Sequence, residues 1–121
     1  MDLRDVMQYD IFVVVGDTLN EEKYAYKIKN DLLQNGYKVY CVGKELESIN
    51  DIEEEIDIID LCINPHKGLK LLQENKKLFK CVVIQPGAGS EEIIKYLEEN
   101  NYTYMDGCLL VGTRLYSKNK Q

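Results

Sequence analysis

The segment best suited to chemistry is Gln85-Pro86-Gly87-Ala88-Gly89-Ser90. Its two glycines let backbone approach a ligand closely, and a helix opening near Ser90 would turn free N–H groups toward an anion. A tight strand-to-helix turn with no ligand is the competing account. A second segment, Gly16-Asp17-Thr18-Leu19-Asn20-Glu21-Glu22-Lys23, also stands between an apolar run and an amphipathic stretch. It has one glycine, not the three of a dinucleotide fingerprint, and no Gly-Lys-Ser/Thr of a phosphate-binding loop. Thr18 and Asn20 offer capping or hydrogen-bonding groups there, whereas Asp17, Glu21 and Glu22 oppose an anion. A capped helix start with no ligand explains this loop equally. Lys44 is the one base expected at the end of the second strand, where an ordinary surface lysine is the alternative.

Other reactive types point to less. His66, the single histidine, has no serine, cysteine or acid placed in sequence to build a triad, and reads as an exposed residue at a helix start. The four cysteines, Cys41, Cys62, Cys81 and Cys108, contain no close pair, which removes the usual zinc and Cys-x-x-Cys signatures. They read as buried, reduced thiols, and no metal is expected. Cys108 follows the fifth strand, and its thiol would be reactive only if exposed near positive charge.

The elements that would carry these segments alternate along the chain. Ile11–Val15 is a continuous apolar run ending at Gly16, as in a parallel strand buried on both faces. Lys23–Asn35 has helical spacing at Tyr26, Ile28, Leu32 and Leu33, and Gly36 stops it. Strands are expected at Tyr37–Val42, Asp57–Ile63, Lys80–Gln85 and Tyr102–Met105, and helices at His66–Asn75 and Ser90–Asn100. Ser90-Glu91-Glu92-Ile93 sets a cap before an apolar stripe. Residues 45–60 hold eight acids and no base, and read as a solvated helix or turn lying away from any binding crevice. The tail, Asp106–Gln121, holds a short helix or strand near Leu109–Leu115.

Strand-helix alternation implies a single α/β domain over residues 1–121, with a parallel sheet and helices on both faces. In such sheets ligands bind beyond the carboxyl ends of the strands, where the winding reverses. With 121 residues the chain has room for one core and no second catalytic domain. Its net charge of −6 argues against general nucleic-acid binding and against a polybasic membrane surface. A hydrophobic content of 45% is too high for a disordered chain. No apolar run approaches membrane-span length and no secretory leader is evident, so a cytoplasmic location is expected.

Taken in order, several segments resemble the small, stand-alone CoA-binding proteins and the CoA-binding domain of the succinyl-CoA synthetase alpha subunit. They are Val13-Val14-Val15-Gly16, Lys23-Tyr24-Ala25-Tyr26, Gly36-Tyr37-Lys38-Val39-Tyr40 and Ile56-Asp57-Ile58-Ile59-Asp60. Val83-Ile84-Gln85-Pro86-Gly87 with Ser90-Glu91-Glu92, and Met105-Asp106-Gly107-Cys108, complete the series. The resemblance runs from about Ile11 to Leu115. It implies a Rossmann-like three-layer sandwich with strand order 2-1-3-4-5 and a crevice between the ends of strands one and three. It implies a CoA diphosphate near Gly16 and Thr18, with Lys23 and Tyr24 at the helix start and Lys44 approaching a phosphate. The adenine would lie against Asn64-Pro65, and the pantetheine arm would run past Gln85, Gly87 and Ala88.

Four positions depart from the family pattern. Ala25 stands where many members have serine, Gly43-Lys44 replaces an asparagine–proline, and Ile63-Asn64 replaces an arginine pair. Arginine recognises phosphate bidentately, and Asn64 carries no such charge. After Cys108 the usual charged stretch is shortened to Leu109-Leu110-Val111-Gly112-Thr113. The leading expectation is non-catalytic binding of CoA or an acyl-CoA, a small-molecule ligand held by backbone N–H groups and apolar contacts. The alternatives are a regulatory or interaction module that has lost the ligand, working through a protein partner, and a detached subunit of an acyl-CoA ligase. The last would need a partner chain that brings a nucleotide-grasp domain and a phosphorylated histidine.

Overall fold

The computed structural model describes residues 1–118. Five strands form one parallel sheet in the order β2-β1-β3-β4-β5, the order the resemblance implies. The strands are β1 (Ile11–Gly16), β2 (Lys38–Gly43), β3 (Ile58–Cys62), β4 (Cys81–Ile84) and β5 (Tyr104–Asp106). The helices are α1 (Leu3–Val6), α2 (Tyr24–Gln34), α3 (Pro65–Glu74), α4 (Glu91–Glu99) and α5 (Leu109–Tyr116). Each expected strand and helix is present, with ends moved by a residue or two. Ser90 caps α4 as expected, its Oγ accepting the Ile93 N–H at 3.2 Å.

The sheet is central because β1, β3 and β4 are buried on both faces. On one face Val13, Val15, Ile59 and Leu61 pack under Leu72 of α3 and Ile93 and Leu97 of α4. On the other, Phe12, Val14, Ile58 and Val83 pack under Ala25, Ile28 and Leu32 of α2, Leu109 of α5, and Val6 and Met7. The acidic stretch contributes a 3₁₀ turn, Ile49–Asp51, whose Ile49 enters the first core.

Two elements differ from expectation. Helix α1 lies in a segment to which no element was assigned. Asp2 and Asp5 form a reciprocal capping box around it, and it delivers Val6 and Met7 to the core. The ambiguous tail resolves as helix α5, seated against α1 and α2. At Gly112 an added Cβ would lie 2.8 Å from Met7 Sδ, so the absence of a side chain there lets α5 settle on the α1 corner.

The carboxyl end of the sheet is where the winding reverses. Gly16 lies level with Gly43 on β2 and with Cys62 on β3. A Cβ at Gly16 would sit 2.5 Å from the Cys62 carbonyl oxygen, and one at Gly43 would sit 2.8 Å from the Gly16 carbonyl oxygen. The three strands therefore close together at the floor of the switch point in a way that only glycine permits.

Candidate functional site

Two cavities open above that floor. One of about 500 Å³ is lined by Asp17, Lys23, Tyr24, Cys62, Ile63, Asn64, Gln85, Pro86, Gly87 and Cys108. The other, about 460 Å³, is lined by Gly16, Asp17, Gly43, Lys44, Glu47, Ile63, Lys67, Lys70, Leu71 and Glu74. Asp17 and Ile63 border both, so they are adjoining halves of one crevice over the ends of β1 and β3.

Of the ten residues assigned to a ligand from sequence, seven line this crevice. Lys23, Tyr24, Asn64, Gln85 and Gly87 border the larger half, and Gly16 and Lys44 the smaller. Three line neither half. Thr18 is buried, and its hydroxyl donates to Glu45 Oε2 at 2.5 Å. Ala88 packs in the core beneath α4. Pro65 occupies the first turn of α3, where its missing N–H costs nothing. Asn64 is partly committed as well, since its side chain caps α3 by accepting the Lys67 N–H at 3.0 Å.

The helix starts around the larger half differ in how they are capped. Helix α3 is capped by Asn64 and α4 by Ser90. Helices α2 and α5 begin at Lys23 and Cys108 with no side-chain cap, and both of those residues line the cavity. First-turn N–H groups at a helix start lack the i−4 acceptor, and the residues that open these two helices border the cavity. At α5 two are already used: the Val111 N–H donates to the Cys108 carbonyl at 3.1 Å, and the Leu109 N–H donates to Gln85 Oε1 at 2.9 Å, which ties the start of α5 to the end of β4.

Charge is distributed differently from expectation. Lys44 is joined in the smaller half by Lys67 and Lys70 of α3. Both were missed, although their i, i+3 spacing after Asn64-Pro65 places them on one helix face. The acids of residues 45–60 do not all lie elsewhere, because Glu47 lines this half, as does Glu74. Asp17 borders both halves but turns Oδ1 into its own loop, where it accepts the Leu19 and Asn20 N–H groups at 3.2 Å. Glu21 and Glu22 are exposed and line neither half. Glu45 is tied up by Thr18 and, at 3.1 Å, by Lys29; the Thr18 hydrogen bond, then the Lys29 one, hold its carboxyl below the usual range.

The cysteines divide. Cys41 and Cys81 are buried, and burial raises each thiol to about 11. Cys62 and Cys108 are only half-buried, and both line the larger cavity. Beneath them, Asp60 is completely buried in β3, between Val14 and Val83 on the neighbouring strands. The Cys62 thiol donates to Asp60 Oδ2 at 3.0 Å, and Oδ1 has no partner. Burial pushes the Asp60 carboxyl up to about 7, against the opposing pull of that hydrogen bond. His66 is exposed and lines neither half.

Comparison with known proteins fits this geometry. A family model described as a CoA binding domain matches residues 10–114. The chain belongs to that family. Among curated proteins no significant match is found. A conserved hypothetical protein from Pyrococcus furiosus is 30% identical, with a TM-score of 0.75 over 85% of this chain and 98% of its own. A Thermus thermophilus structure is 20% identical, with a TM-score of 0.77 over 94% of this chain and 98% of its own. A Pyrococcus horikoshii hypothetical protein has a TM-score of 0.82 at 23% identity, over 95% of this chain and 89% of its own. The last two bear on the fold alone.

Within this CoA-binding domain the Gln85–Gly89 turn can be tested directly. Gly87 has φ +88°, and a Cβ there would meet nothing within 4 Å. Gly87→Ala should therefore cost about 1 kcal/mol, from backbone conformation alone. A denaturant midpoint unchanged from wild type would show that the turn relaxes freely. Among the described residues no group of three or more His, Cys, Asp or Glu is placed to hold a metal. No described helix is long and apolar enough to cross a membrane.

Proposed function

We propose that this domain binds coenzyme A or an acyl-CoA along the two-part crevice, as a ligand-holding module without chemistry on the thioester. The observation that carries the reading is the pair of uncapped helix starts bordering the larger half, set beside a lysine-bearing smaller half. Helix N-termini and lysines suit the diphosphate and the ribose phosphate of such a ligand. The smaller half takes the nucleotide end with its ribose phosphate, the diphosphate lies at the start of α2 where the halves meet, and the pantetheine arm runs along the larger half past Gln85 and Cys62. Lys67 and Lys70 supply charge from α3 where Asn64 has none.

Calorimetric titration with CoA, beside ADP, NAD and FMN, tests the reading. CoA should give the strongest heat, and no heat at millimolar CoA would sink it. The lysines can be ranked by charge reversal. Lys44→Glu, Lys67→Glu and Lys70→Glu should each weaken CoA about tenfold, equivalent to about 1.4 kcal/mol, with the fold intact. Any lysine whose reversal leaves the affinity unchanged does not touch a phosphate.

The acids along the smaller half favour a second reading, a module that has kept the fold and works through a protein partner. Asp17, Glu47 and Glu74 face the same space as the three lysines and can neutralise them. Under that reading Glu47→Gln with Glu74→Gln should restore CoA heat to a domain that otherwise gives none.

A further inference from the structure

The inner end of the larger cavity contains reactive groups that ligand holding does not use. Cys62 and Cys108 both line it, and Cys108 lies near enough to raise the Cys62 thiol electrostatically. Sheet geometry explains how they meet. Leu61 lies level with Ile84, and Ile84 with Asp106, so Cys62, Gln85 and Gly107 follow at the next level across three strands. The Gln85–Leu109 hydrogen bond then draws the start of α5 back over β4, carrying Cys108 toward Cys62.

The two thiols are in unlike settings. Cys62 donates its proton to Asp60, and burial with that neighbour raises its pKa strongly, which makes it a poor first nucleophile. Cys108 stands at the N-cap of α5, and its side chain makes no capping hydrogen bond.

We propose that Cys108 and Cys62 form a dithiol site that reduces the disulfide of a pantetheine-type thiol, such as CoA disulfide. This rests on the reading of the crevice as a CoA site. The Cys108 thiolate, its proton given to solvent, attacks one ligand sulfur, forms a mixed disulfide, and expels the other half as a thiolate that takes up a proton. Cys62 then attacks Cys108 Sγ, passes its proton to Asp60, and expels the second ligand thiol. Two cysteine thiols are oxidised to one disulfide, and one ligand disulfide is reduced to two thiols. The buried Asp60 carboxyl, whose Oδ2 holds the Cys62 thiol and whose Oδ1 has no partner, acquires a purpose as the proton acceptor of the second step.

The test incubates reduced protein with CoA disulfide and reads intact mass, peptide maps and released thiol. Wild type should lose two hydrogens and release two thiols per chain. Cys62→Ser should trap a CoA adduct on Cys108, and Cys108→Ser should form none. Asp60→Asn should slow closure at least tenfold, so that the Cys108 adduct accumulates. Reduced CoA is titrated calorimetrically in parallel. Binding of reduced CoA with no adduct in Cys62→Ser overturns the dithiol site and leaves the ligand reading standing. Oxidation of the pair by oxidised glutathione, with no heat from CoA, overturns the ligand reading and its pantetheine preference. Adducts on Cys41 or Cys81 instead of Cys108 also overturn the dithiol site, as does closure in Asp60→Asn at the wild-type rate for the role of Asp60.

Discussion

Asp60→Asn should change how stability depends on pH more than any other single substitution. The carboxyl is completely buried, one oxygen is unpartnered, and burial lifts its pKa from 3.8 to about 7. A raised carboxylate pKa means that the folded state holds a proton which the unfolded state has already released. Between pH 4 and pH 7 the folded chain therefore binds more protons than the unfolded one. Stability contributed by this group is full below pH 4, falls as pH rises through that window, and levels off above pH 7. At 1.36 kcal/mol per pKa unit, the shift corresponds to up to about 4 kcal/mol.

Asparagine keeps the shape and cannot ionise. The difference in unfolding free energy between Asp60→Asn and wild type should move in favour of the variant by up to about 4 kcal/mol from pH 4 to pH 8. Taking the difference removes the other titrating groups, and any fixed cost of the buried amide appears as an offset independent of pH. Urea unfolding at several pH values measures it. Parallel profiles would show that Asp60 stays charged in the fold. A buried carboxyl of this kind weakens the sheet near neutral pH, a cost that an apolar residue at the same strand position would not carry.

Most of the fold was legible because the apolar runs are short, β-rich and closed by glycine or proline. The strand order came with the family resemblance, because nothing in the pattern says on which side of β1 the third strand lies. Helix α1 was missed since four residues give no periodicity, although Asp2 and Asp5 carried its capping signal. The conformation of α5 was not legible because Leu109-Leu110-Val111-Gly112-Thr113 suits a strand as well as a helix. Contact with α1 and α2 decides it.

The crevice was legible where backbone makes it and less so where side chains do. Gly16, Gln85 and Gly87 stand at strand ends whatever else happens. Thr18 and Ala88 stand in the same loops but turn inward, one to Glu45 and the other to the α4 core. The pairing of Cys62 with Cys108 gave no signal in sequence, because only the order β3-β4-β5 and the return of α5 bring them together.

Gly16→Ala should be the most damaging change at the crevice. The new Cβ would lie 2.5 Å from the Cys62 carbonyl oxygen and 3.0 Å from the Ala25 Cβ. Neither is the far end of a flexible side chain. One belongs to the β3 backbone, and the other is fixed to α2, so relief requires prising β1 from β3 where the sheet opens to the ligand. Gly16 also has φ +157°, which L-residues rarely adopt. Overpacking and backbone conformation together should cost about 2–4 kcal/mol, and CoA heat should vanish even where the protein remains folded. Ala25 belongs to the same arrangement: a serine at this position would add an oxygen beside a space already closed around Gly16. Gly43→Ala should fall between Gly16→Ala and Gly87→Ala. Its Cβ would lie 2.8 Å from the Gly16 carbonyl oxygen, whereas the one at Gly87 meets nothing within 4 Å. Denaturant unfolding of the three variants in one buffer checks the order. A Gly16→Ala protein as stable as Gly87→Ala would show that the floor of the crevice yields, and that close approach of β1, β2 and β3 does not define the site.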